Sequence, residues 1–474
     1  MKYHTLALVF FLLGLVNCRT PAENAALVKD QFVHGYLAYE RYAYGHDELL
    51  PLTRSYVDYN PQSLLYTPID ALDTMYIMKL DMAKRVTQQV CALSFDQDMD
   101  VSVFDMVIRL LGGLLSSYYQ SGEQCLLNQA IDLGNRIIPA LTTPSLSGMS
   151  WPTINLHTGA VSGDSTNPAV VGTQIIEFGA LSYATGNMTY YNAAKVVLEN
   201  LYNSKSPLGL VGQCINVNTT SDFTSSNFWC STDSHIDAQI DSYYEYQIKA
   251  WKLFGDTEFE QMWLASNTSI QQYLAYPKPN QLWYQRVNMF TGTNTTDGSA
   301  YQYDLYACFF AAALSLSGDM THAIYNQESN WFMWQQYNVE GDTFNFGNDR
   351  YIGSTYSLNP ENFESNYYLY HYTANQTYYS RAEIYLDDLI QYCRCNITED
   401  CAGYSGLDNI ETKIRANTTP SYFFAESLKY LYLTFLEFQS DSPLQFTDYI
   451  FNTEAHPIPI SAIQNFKNNI QKLV

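Results

Sequence analysis

The sequence predicts an all-α protein, a closed α/α barrel in which inner and outer helices alternate and short β-hairpins lie in the loops. Two observations support this fold class: a helix–break–helix layout recurs along the chain, and the helix before each break is more apolar than the helix after it. In addition, no part of the chain alternates strand and helix patterns as a parallel sheet requires.

The breaks between paired helices share a stop-and-restart signal. Each holds a Gly or Ala followed directly by Asp, Glu or Asn. The Gly or Ala ends one helix, and the Asp, Glu or Asn begins the next. Five such breaks, at intervals of roughly 55–70 residues, are typical of stacked helical hairpins. Their central residues are Gly122, Gly186, Gly255, Gly318 and Ala374.

The helices on the two sides of a break differ in polarity. Segments such as "ACFFAAALSL" and "NYYLYHY" precede breaks and are apolar or aromatic on most sides. Helices that are hydrophobic all round are buried, whereas amphipathic helices cover them. We therefore expect the first helix of each pair in an inner ring and the second in an outer ring. Loops rich in Gly, Ser and Thr, such as 142–168 and 206–232, connect the pairs.

The N-terminus has the composition of a secretory signal. Lys2 and His4 precede an apolar stretch over residues 5–16, which predicts a signal peptide over 1–18 and a single barrel domain over 19–474. No later segment reaches about 18 uninterrupted apolar residues, so we expect no stable membrane insertion.

Glycosylation motifs and cysteines favour the secretory-pathway lumen, the endoplasmic reticulum or Golgi, with secretion as a further destination. Seven N-x-S/T motifs are present, and these are acceptors for N-glycans. They lie at Asn187, Asn218, Asn267, Asn294, Asn375, Asn396 and Asn417. Cysteines pair in an oxidising compartment. Cys214–Cys230 and a local link within 393–401 are plausible, although spacing leaves the connectivity open.

The composition excludes one class of partner. The chain has 24 Lys and Arg against 47 Asp and Glu, a net charge of −23, which argues against nucleic-acid binding. Its 41 Tyr and 24 Phe suit either sugar recognition or a tyrosine-rich core.

Acidic residues lie near the starts of the predicted inner helices. The helix dipole favours a carboxylate there by about 0.3–1 kcal/mol, but this does not explain acids in the least polar helices. In a closed barrel they converge on one cavity, where a metal, water or an arginine must offset their charge. Such a cavity suits glycoside hydrolysis, in which one carboxyl protonates the leaving oxygen and another activates water. The acids are Asp70, Asp73, Asp105, Glu177, Asp241, Glu245, Glu361, Glu364 and Glu426.

Two other reaction types find no support. The chain has no G-x-S-x-G motif of a serine hydrolase and no phosphate-binding P-loop. Asp105 and Arg109 share a helix face because they are four residues apart, so Arg109 can hold this acid as an ion pair whether or not the acid reacts.

Seven sequence blocks in order resemble one known family, the class I α-1,2-mannosidases of glycoside hydrolase family 47, and the match runs from 44–58 to 451–459. The blocks are "IDALDTMYIM" (69–78), "IRLLGGLLSSY" (108–118), "VGTQIIEFGALS" (171–182), "IDSYYEYQIKAW" (240–251), "NPENFESNYYLY" (359–370), "GYSGLDNI" (403–410) and "FFAESLKYLYL" (423–433). The resemblance implies an (α/α)7 barrel and Ca²⁺-dependent, inverting hydrolysis of α-1,2-linked mannose on high-mannose N-glycans of glycoproteins.

The resemblance also implies roles for individual residues. Asp105 matches the proton donor, and Asp241 and Glu361 match the other catalytic acids, with Glu361 as the candidate base. Thr453 of "FNTEAHP" matches the residue that binds Ca²⁺ through its hydroxyl and carbonyl oxygens. Arg109 completes the substrate site together with the acids that hold waters and sugar hydroxyls around the metal, namely Glu177, Glu364, Glu426 and Glu454.

Three positions depart from the family pattern. Asp105 stands where the family has Glu, which retracts the carboxyl by about 1.5 Å, and a misplacement of about 1 Å can cost ~100-fold in rate. Asn359 replaces an Arg, and Leu305 replaces a His. The cysteine expected to pair with Cys308 is also missing around 328–337.

Two functions follow as hypotheses. The first is a Ca²⁺-dependent α-1,2-mannosidase of the secretory pathway, slowed or altered in specificity by these departures. The second is a mannosidase-like lectin with little turnover that binds high-mannose glycans in glycoprotein quality control. A starch- or pectin-active α/α-barrel hydrolase is a third, more remote reading.

Overall fold

Helices dominate the part of the chain that the structure describes. The computed structural model describes residues 19–220, 222–223, 227–396 and 401–464. The predicted signal segment 1–18 lies outside these residues.

An inner ring of seven helices forms the centre of the fold within this part of the chain. Nearly all their residues are buried, including most polar ones. These helices are Tyr66–Ile77, Gly112–Ser121, Ile175–Thr185, Asp241–Phe254, Phe310–Ser317, Glu361–Thr373 and Leu428–Leu436.

The inner ring closes on itself. Each inner helix packs against the next in chain order, and the segment Phe423–Ser427, which leads into the last one, packs against the first. The ion pair of Lys429 with Asp73, 2.9 Å between Nζ and Oδ1, also joins the last helix to the first. The predicted barrel is therefore confirmed.

An outer ring of seven amphipathic helices surrounds the inner one in the described chain, and each packs on its inner neighbour. The outer helices are Pro21–Tyr42, Ala83–Cys91, Gln124–Ile137, Thr189–Asn203, Thr257–Tyr273, Met320–Tyr337 and Gln376–Tyr392. Shorter helical segments are Val103–Asp105, Met106–Leu111, Pro139–Thr142, Pro168–Gly172, Leu305–Phe309, Phe423–Ser427 and Phe446–Asp448.

All five predicted breaks end an inner helix in the left-handed conformation. The glycines among them have φ between 65° and 92°, and Ala374 adopts the same conformation at φ 52°. Asp256, Asp319 and Asn375, which follow three of the breaks, accept a backbone hydrogen bond and cap the next outer helix. The stop-and-restart pattern was therefore read correctly.

Short antiparallel strands occupy the loops between hairpins, as expected. They form eight sheets of two or three strands in the described residues. The strands are Glu48–Leu50, Ser55–Val57, Asp100–Ser102, Thr153–Asn155, Val161–Ser162, Ser165–Thr166, Cys214–Asn216, Trp229–Ser231, Asp233–Ser234, Ala275–Lys278, Gln281–Tyr284, Val287–Asn288, Gln302–Asp304, Thr343–Asn345, Arg350–Gly353, Leu407–Asn409, Ile414–Arg415, Tyr449–Phe451 and Pro457–Pro459.

Three disulfides link neighbouring elements. Cys214–Cys230 forms as expected, and the local link is Cys395–Cys401. A third bond, Cys91–Cys125, joins two outer helices and was not anticipated. Cys308 is buried and unpaired, which agrees with the absence of a cysteine around 328–337.

None of the helices described here combines the length and the apolar composition needed to cross a bilayer.

Candidate active site

A β-hairpin near the C-terminus places a five-residue turn in the middle of the inner ring. Strands Tyr449–Phe451 and Pro457–Pro459 pair in register, with Phe451 opposite Pro457, and residues 452–456 form the turn. Asn452 donates from Nδ2 to the Ile108 carbonyl and to Glu177, each across 2.8 Å. The turn therefore touches several inner helices at once and closes one end of any cavity between them.

Thr453, the predicted Ca²⁺ ligand, lies in this turn. Its hydroxyl donates to Glu245 Oε2 across 2.7 Å, and its amide donates to the Tyr246 hydroxyl across 3.2 Å. The hydroxyl lone pairs are thus directed away from this donated hydrogen, and the side chain lines a cavity with Glu426 and Glu454. The side-chain atoms of Thr453, Glu426 and Glu454 that could bind a metal are all oxygens. Oxygen ligands suit a hard cation such as Ca²⁺.

Protein ligands alone do not complete such a metal site. Among the described residues, no group of three or more His, Cys, Asp or Glu side chains is arranged to hold a metal. A cation at Thr453 would therefore take most of its six to eight oxygen ligands from water and sugar hydroxyls.

Arg109 lies at the junction of three carboxylates. Its Nε donates to Asp105 Oδ1 across 3.2 Å, and its Nη1 lies 3.0 Å from Glu454 and 3.8 Å from Asp70. Nη1 also donates to the Ser421 hydroxyl across 3.1 Å. The predicted ion pair between Asp105 and Arg109 is present.

A cavity of about 150 Å³ opens between the starts of the inner helices. Six of the predicted site residues line it: Arg109, Asp241, Glu361, Glu426, Thr453 and Glu454. The other lining residues are Phe104, Ile108, Ser242, Tyr306, Asn359, Pro360 and Tyr422.

Asp105 lies beside this cavity rather than in its wall. Its side chain is 33% exposed, while Phe104 and Arg109 on the same helical run line the cavity. The shorter aspartate side chain is consistent with this peripheral position.

The two remaining candidate catalytic acids, Asp241 and Glu361, are half-buried in the wall. Burial raises the pKa of Asp241 to about 7, although the backbone amide of Ser242 donates to its carboxylate. Burial also raises the pKa of Glu361 well above its usual range. One oxygen of Glu361, Oε2, has no hydrogen-bond partner among the described residues, so its capacity to accept a hydrogen bond is unused.

Glu177 and Glu364 lie behind the wall. Glu177 accepts hydrogen bonds from the Tyr246 hydroxyl at 2.5 Å and from Asn452 at 2.8 Å, and burial raises its pKa to about 7. Glu364 accepts from Lys249 Nζ across 3.0 Å. These two predicted substrate-binding acids support the closing turn and Lys249 instead of facing the cavity directly.

Glu426 and Glu454 repel each other within the wall. Burial, followed by the charge of Glu454, raises the pKa of Glu426 well above its usual range. Burial raises the pKa of Glu454 to about 8, although Arg109 counters this rise. Both carboxyls are therefore poised to ionise when a positive charge enters the cavity.

Buried cations offset part of the negative charge that is clustered at the site. Lys249 pairs with Glu245 and Glu364. His456 lies 2.9 Å from Asp73 and 3.2 Å from Asp70. The acids near the starts of the inner helices indicated that positive charge is needed here. Among the side chains, the sequence analysis named only Arg109 as a source of that charge. Lysines and a histidine in aromatic-rich segments gave no separate signal.

Strained backbone precedes two of the catalytic candidates. Gln239 has φ 80°, two residues before Asp241, and Leu358 has φ 65°, three residues before Glu361. Left-handed conformations of non-glycine residues cost on the order of 1–3 kcal/mol and concentrate at functional sites. The Leu358 carbonyl accepts a hydrogen bond from Ser427 across 2.6 Å, which helps to hold this conformation.

Two π-helical segments lie at the site. Met106–Leu111 carries Arg109, and Phe423–Ser427 carries Glu426. Widened turns of this kind are rare and frequently lie at functional sites. They were not predicted, because a single inserted residue leaves no mark in the hydrophobic pattern.

The departures from the family pattern have different positions. Asn359 lines the cavity next to Glu361, whereas Leu305 is buried and Tyr306, the next residue, lines the cavity instead. Of the three altered positions, Asn359 alone therefore lies in the cavity wall.

Comparisons with known proteins show the family of this chain. The sequence profile of Glycosyl hydrolase family 47 matches residues 31–460. Mannosyl-oligosaccharide 1,2-alpha-mannosidase MNS1 from Arabidopsis thaliana is 32% identical over 468 residues, covering 92% of this chain and 78% of that protein. ER degradation-enhancing alpha-mannosidase-like protein 2 from Homo sapiens is 31% identical over 477 residues, covering 94% and 78%. The solved structure of alpha-1,2-mannosidase from Trichoderma reesei superimposes with a TM-score of 0.81 at 27% identity, covering 93% of this chain and 99% of that one.

Proposed function

Because the chain belongs to glycosyl hydrolase family 47, we propose that it hydrolyses α-1,2-linked mannose from high-mannose N-glycans with inversion at the anomeric carbon. One observation carries the proposal: the half-buried side chains of Asp241 and Glu361 line one cavity, and Asp105 lies at its edge. Hydrolysis of a glycosidic bond with inversion needs an acid and a base that flank the bond. The mannosidases among the relatives support the choice of sugar.

Asp105 is the proposed proton donor. Its proton passes to the leaving glycosidic oxygen as the bond from that oxygen to the anomeric carbon breaks. Arg109 fixes the carboxyl through the Nε bond, so that the acid does not swing into solvent. The missing methylene is bridged by a water molecule or by a small shift of the sugar.

Glu361 is the proposed base. Its unpartnered Oε2 accepts a proton from water while the water oxygen attacks the anomeric carbon. A base must first be ionised, and burial opposes this because it raises the pKa of Glu361 well above its usual range. A positive charge in the cavity would lower that pKa. Asp241 is proposed to steer the water or a sugar hydroxyl from the neighbouring part of the wall.

Ca²⁺ is the proposed cofactor, held by the hydroxyl and carbonyl oxygens of Thr453. Its charge would lower the pKa of the surrounding carboxyls and its coordination would orient sugar hydroxyls. Glu177, Glu364 and Glu426 would serve this site through waters and through the elements that they brace.

A glycan-binding role with little turnover is the second candidate. The partly exposed position of Asp105 favours it, because a withdrawn acid slows cleavage without affecting sugar binding in the cavity. The similarity to a human ER degradation-enhancing mannosidase-like protein is compatible with it. Both roles place the protein in the lumen of the secretory pathway.

Incubation of the purified protein with a high-mannose glycan, with and without EDTA, separates the candidates. Release of mannose that EDTA stops and added Ca²⁺ restores is expected of the enzyme. Glycan binding without release, unchanged in an Asp105→Glu variant, would contradict it and support the binding role.

A further inference from the structure

Tyr306 is an aromatic residue with an exposed ring in the cavity wall. It belongs to the short helical segment Leu305–Phe309, its exposed fraction is 42%, and it lines the cavity together with Glu361. Large apolar rings are usually buried, so an exposed one at a polar cavity indicates a ligand contact.

Asn359 joins this ring to a catalytic candidate. Asn359 is 2% exposed, and its side-chain amide lies close enough to the Tyr306 hydroxyl and to the Glu361 carboxyl to counter part of the rise in the pKa of each. The Asn359 carbonyl accepts a hydrogen bond from the Tyr356 hydroxyl across 3.1 Å, so its backbone is also fixed. One amide side chain is therefore placed beside both the hydroxyl of an exposed ring and the carboxyl of Glu361.

The charged residues of this wall do not favour an anionic ligand. Arg109 is the one cation among the lining residues, and its guanidinium already contacts Asp105 and Glu454. A neutral sugar presents a face of C–H groups that packs on an aromatic ring and a rim of hydroxyls that take hydrogen bonds. Such a ligand matches Tyr306 and Asn359, whereas an anionic one is repelled by the wall.

We propose that Tyr306 is a specificity-determining and positioning residue of the cavity: its ring stacks on a neutral pyranose of the glycan, and its hydroxyl acts through Asn359 to orient Glu361. The inference rests on the proposed hydrolysis and adds the residues that select the sugar. The stacked ring strengthens binding of the sugar before it reacts. The contact of the Tyr306 hydroxyl with Asn359 holds Glu361 in the orientation that the reaction needs.

Two variants separate these roles, tested with α-1,2-mannobiose and Ca²⁺. Tyr306→Ala removes the ring and is expected to raise KM about tenfold or more. Tyr306→Phe keeps the ring and is expected to leave KM within about twofold while it lowers kcat and displaces the pH profile of kcat/KM. Tyr325→Ala, at an exposed tyrosine that lines a different groove, is the control and should match wild type.

Several outcomes would overturn the inference. Wild-type KM in Tyr306→Ala would remove the stacking role, and a wild-type pH profile and kcat in Tyr306→Phe would remove the positioning role. Thermal unfolding of each variant identifies loss of fold. If Tyr306→Ala unfolds, Tyr306→Phe still tests the positioning role, because it removes only one hydroxyl group. Wild-type protein that neither cleaves nor binds the disaccharide would instead overturn the proposed function, and the inference with it.

Discussion

Arg109 donates from Nε to Asp105 across 3.2 Å while its Nη1 lies 3.0 Å from Glu454. One guanidinium therefore ties the proposed acid at the cavity's edge to a carboxyl in its wall. Since the two contacts use different nitrogens, Asp105 can change its protonation state while Arg109 stays anchored by Glu454.

Substitution of Asp105 tests its role as the acid. Asp105→Asn keeps the shape and the contact with Arg109 but has no proton of suitable acidity, so kcat should fall by about 10²–10⁴. Asp105→Glu restores the methylene and should retain or raise kcat. Single-turnover rates on α-1,2-mannobiose check both, and an Asp105→Asn variant as fast as wild type would contradict the assignment.

Lys249 should be critical for folding rather than for catalysis. It is 1% exposed and pairs with Glu245 and Glu364, so Lys249→Met leaves two buried carboxylates without their cation. Removal of one partner of a buried ion pair costs about 3–5 kcal/mol, which urea unfolding measures. Lys195→Met, at a more exposed pair with Asp256, is the control and should cost under about 1 kcal/mol. Equal losses in both variants would contradict the prediction.

His456 should make stability depend on pH in the alkaline range. Burial alone would lower its pKa, but Asp73 and Asp70 outweigh burial and Lys429, and raise it from 6.5 to about 9. The folded protein thus holds the proton more tightly, so the stabilisation is complete below about pH 6.5 and is lost as the pH rises through about 9, in total roughly 3 kcal/mol.

A comparison of wild type with His456→Gln isolates this contribution from the other groups that titrate. The difference in their free energies of unfolding should shrink between pH 6 and pH 9.5. A difference that stays constant over this range would show that the folded protein does not raise the pKa of His456.

Ala374 should be less favourable than glycine at its position. It ends the helix Glu361–Thr373 with φ 52°, a conformation in which Cβ crowds the backbone at a cost of about 1 kcal/mol. Ala374→Gly should therefore raise the free energy of unfolding by about 0.5–1 kcal/mol, and Gly186→Ala, the converse change at an equivalent turn, should lower it. A decrease in Ala374→Gly would contradict the strain argument.

Much of the fold could be predicted because the residues that end one helix and begin the next lie side by side in the sequence. Gly186 ends an inner helix, and Asn187 beside it accepts a hydrogen bond from the amide of Thr189 in the next helix. A Gly or Ala followed by Asp, Glu or Asn recurs at four other breaks. The assignment of helices to the inner or the outer ring could also be predicted, because the apolar composition of each inner helix is visible in its own segment. The π-helical turns at Arg109 and Glu426 could not be predicted, since they depend on packing between helices and not on the pattern along one of them.

The site was predictable to a smaller extent. The carboxylates stood out because acids such as Glu177 are rare in wholly apolar helices, and Arg109 stood out by its spacing from Asp105. Lys249 and His456 did not, because a lysine or histidine in a tyrosine-rich helix or a turn resembles an exposed residue until the tertiary structure buries it. The peripheral position of Asp105 likewise depends on how its helix begins.

The most direct test of the proposed hydrolysis is proton NMR of the mannose released from α-1,2-mannobiose in the presence of Ca²⁺. An inverting reaction in this cavity should deliver β-mannose first, which then equilibrates slowly to the mixed anomers, and Glu361→Gln should suppress its appearance. Initial release of α-mannose, or no release from wild type at any Ca²⁺ concentration, would contradict the proposed mechanism.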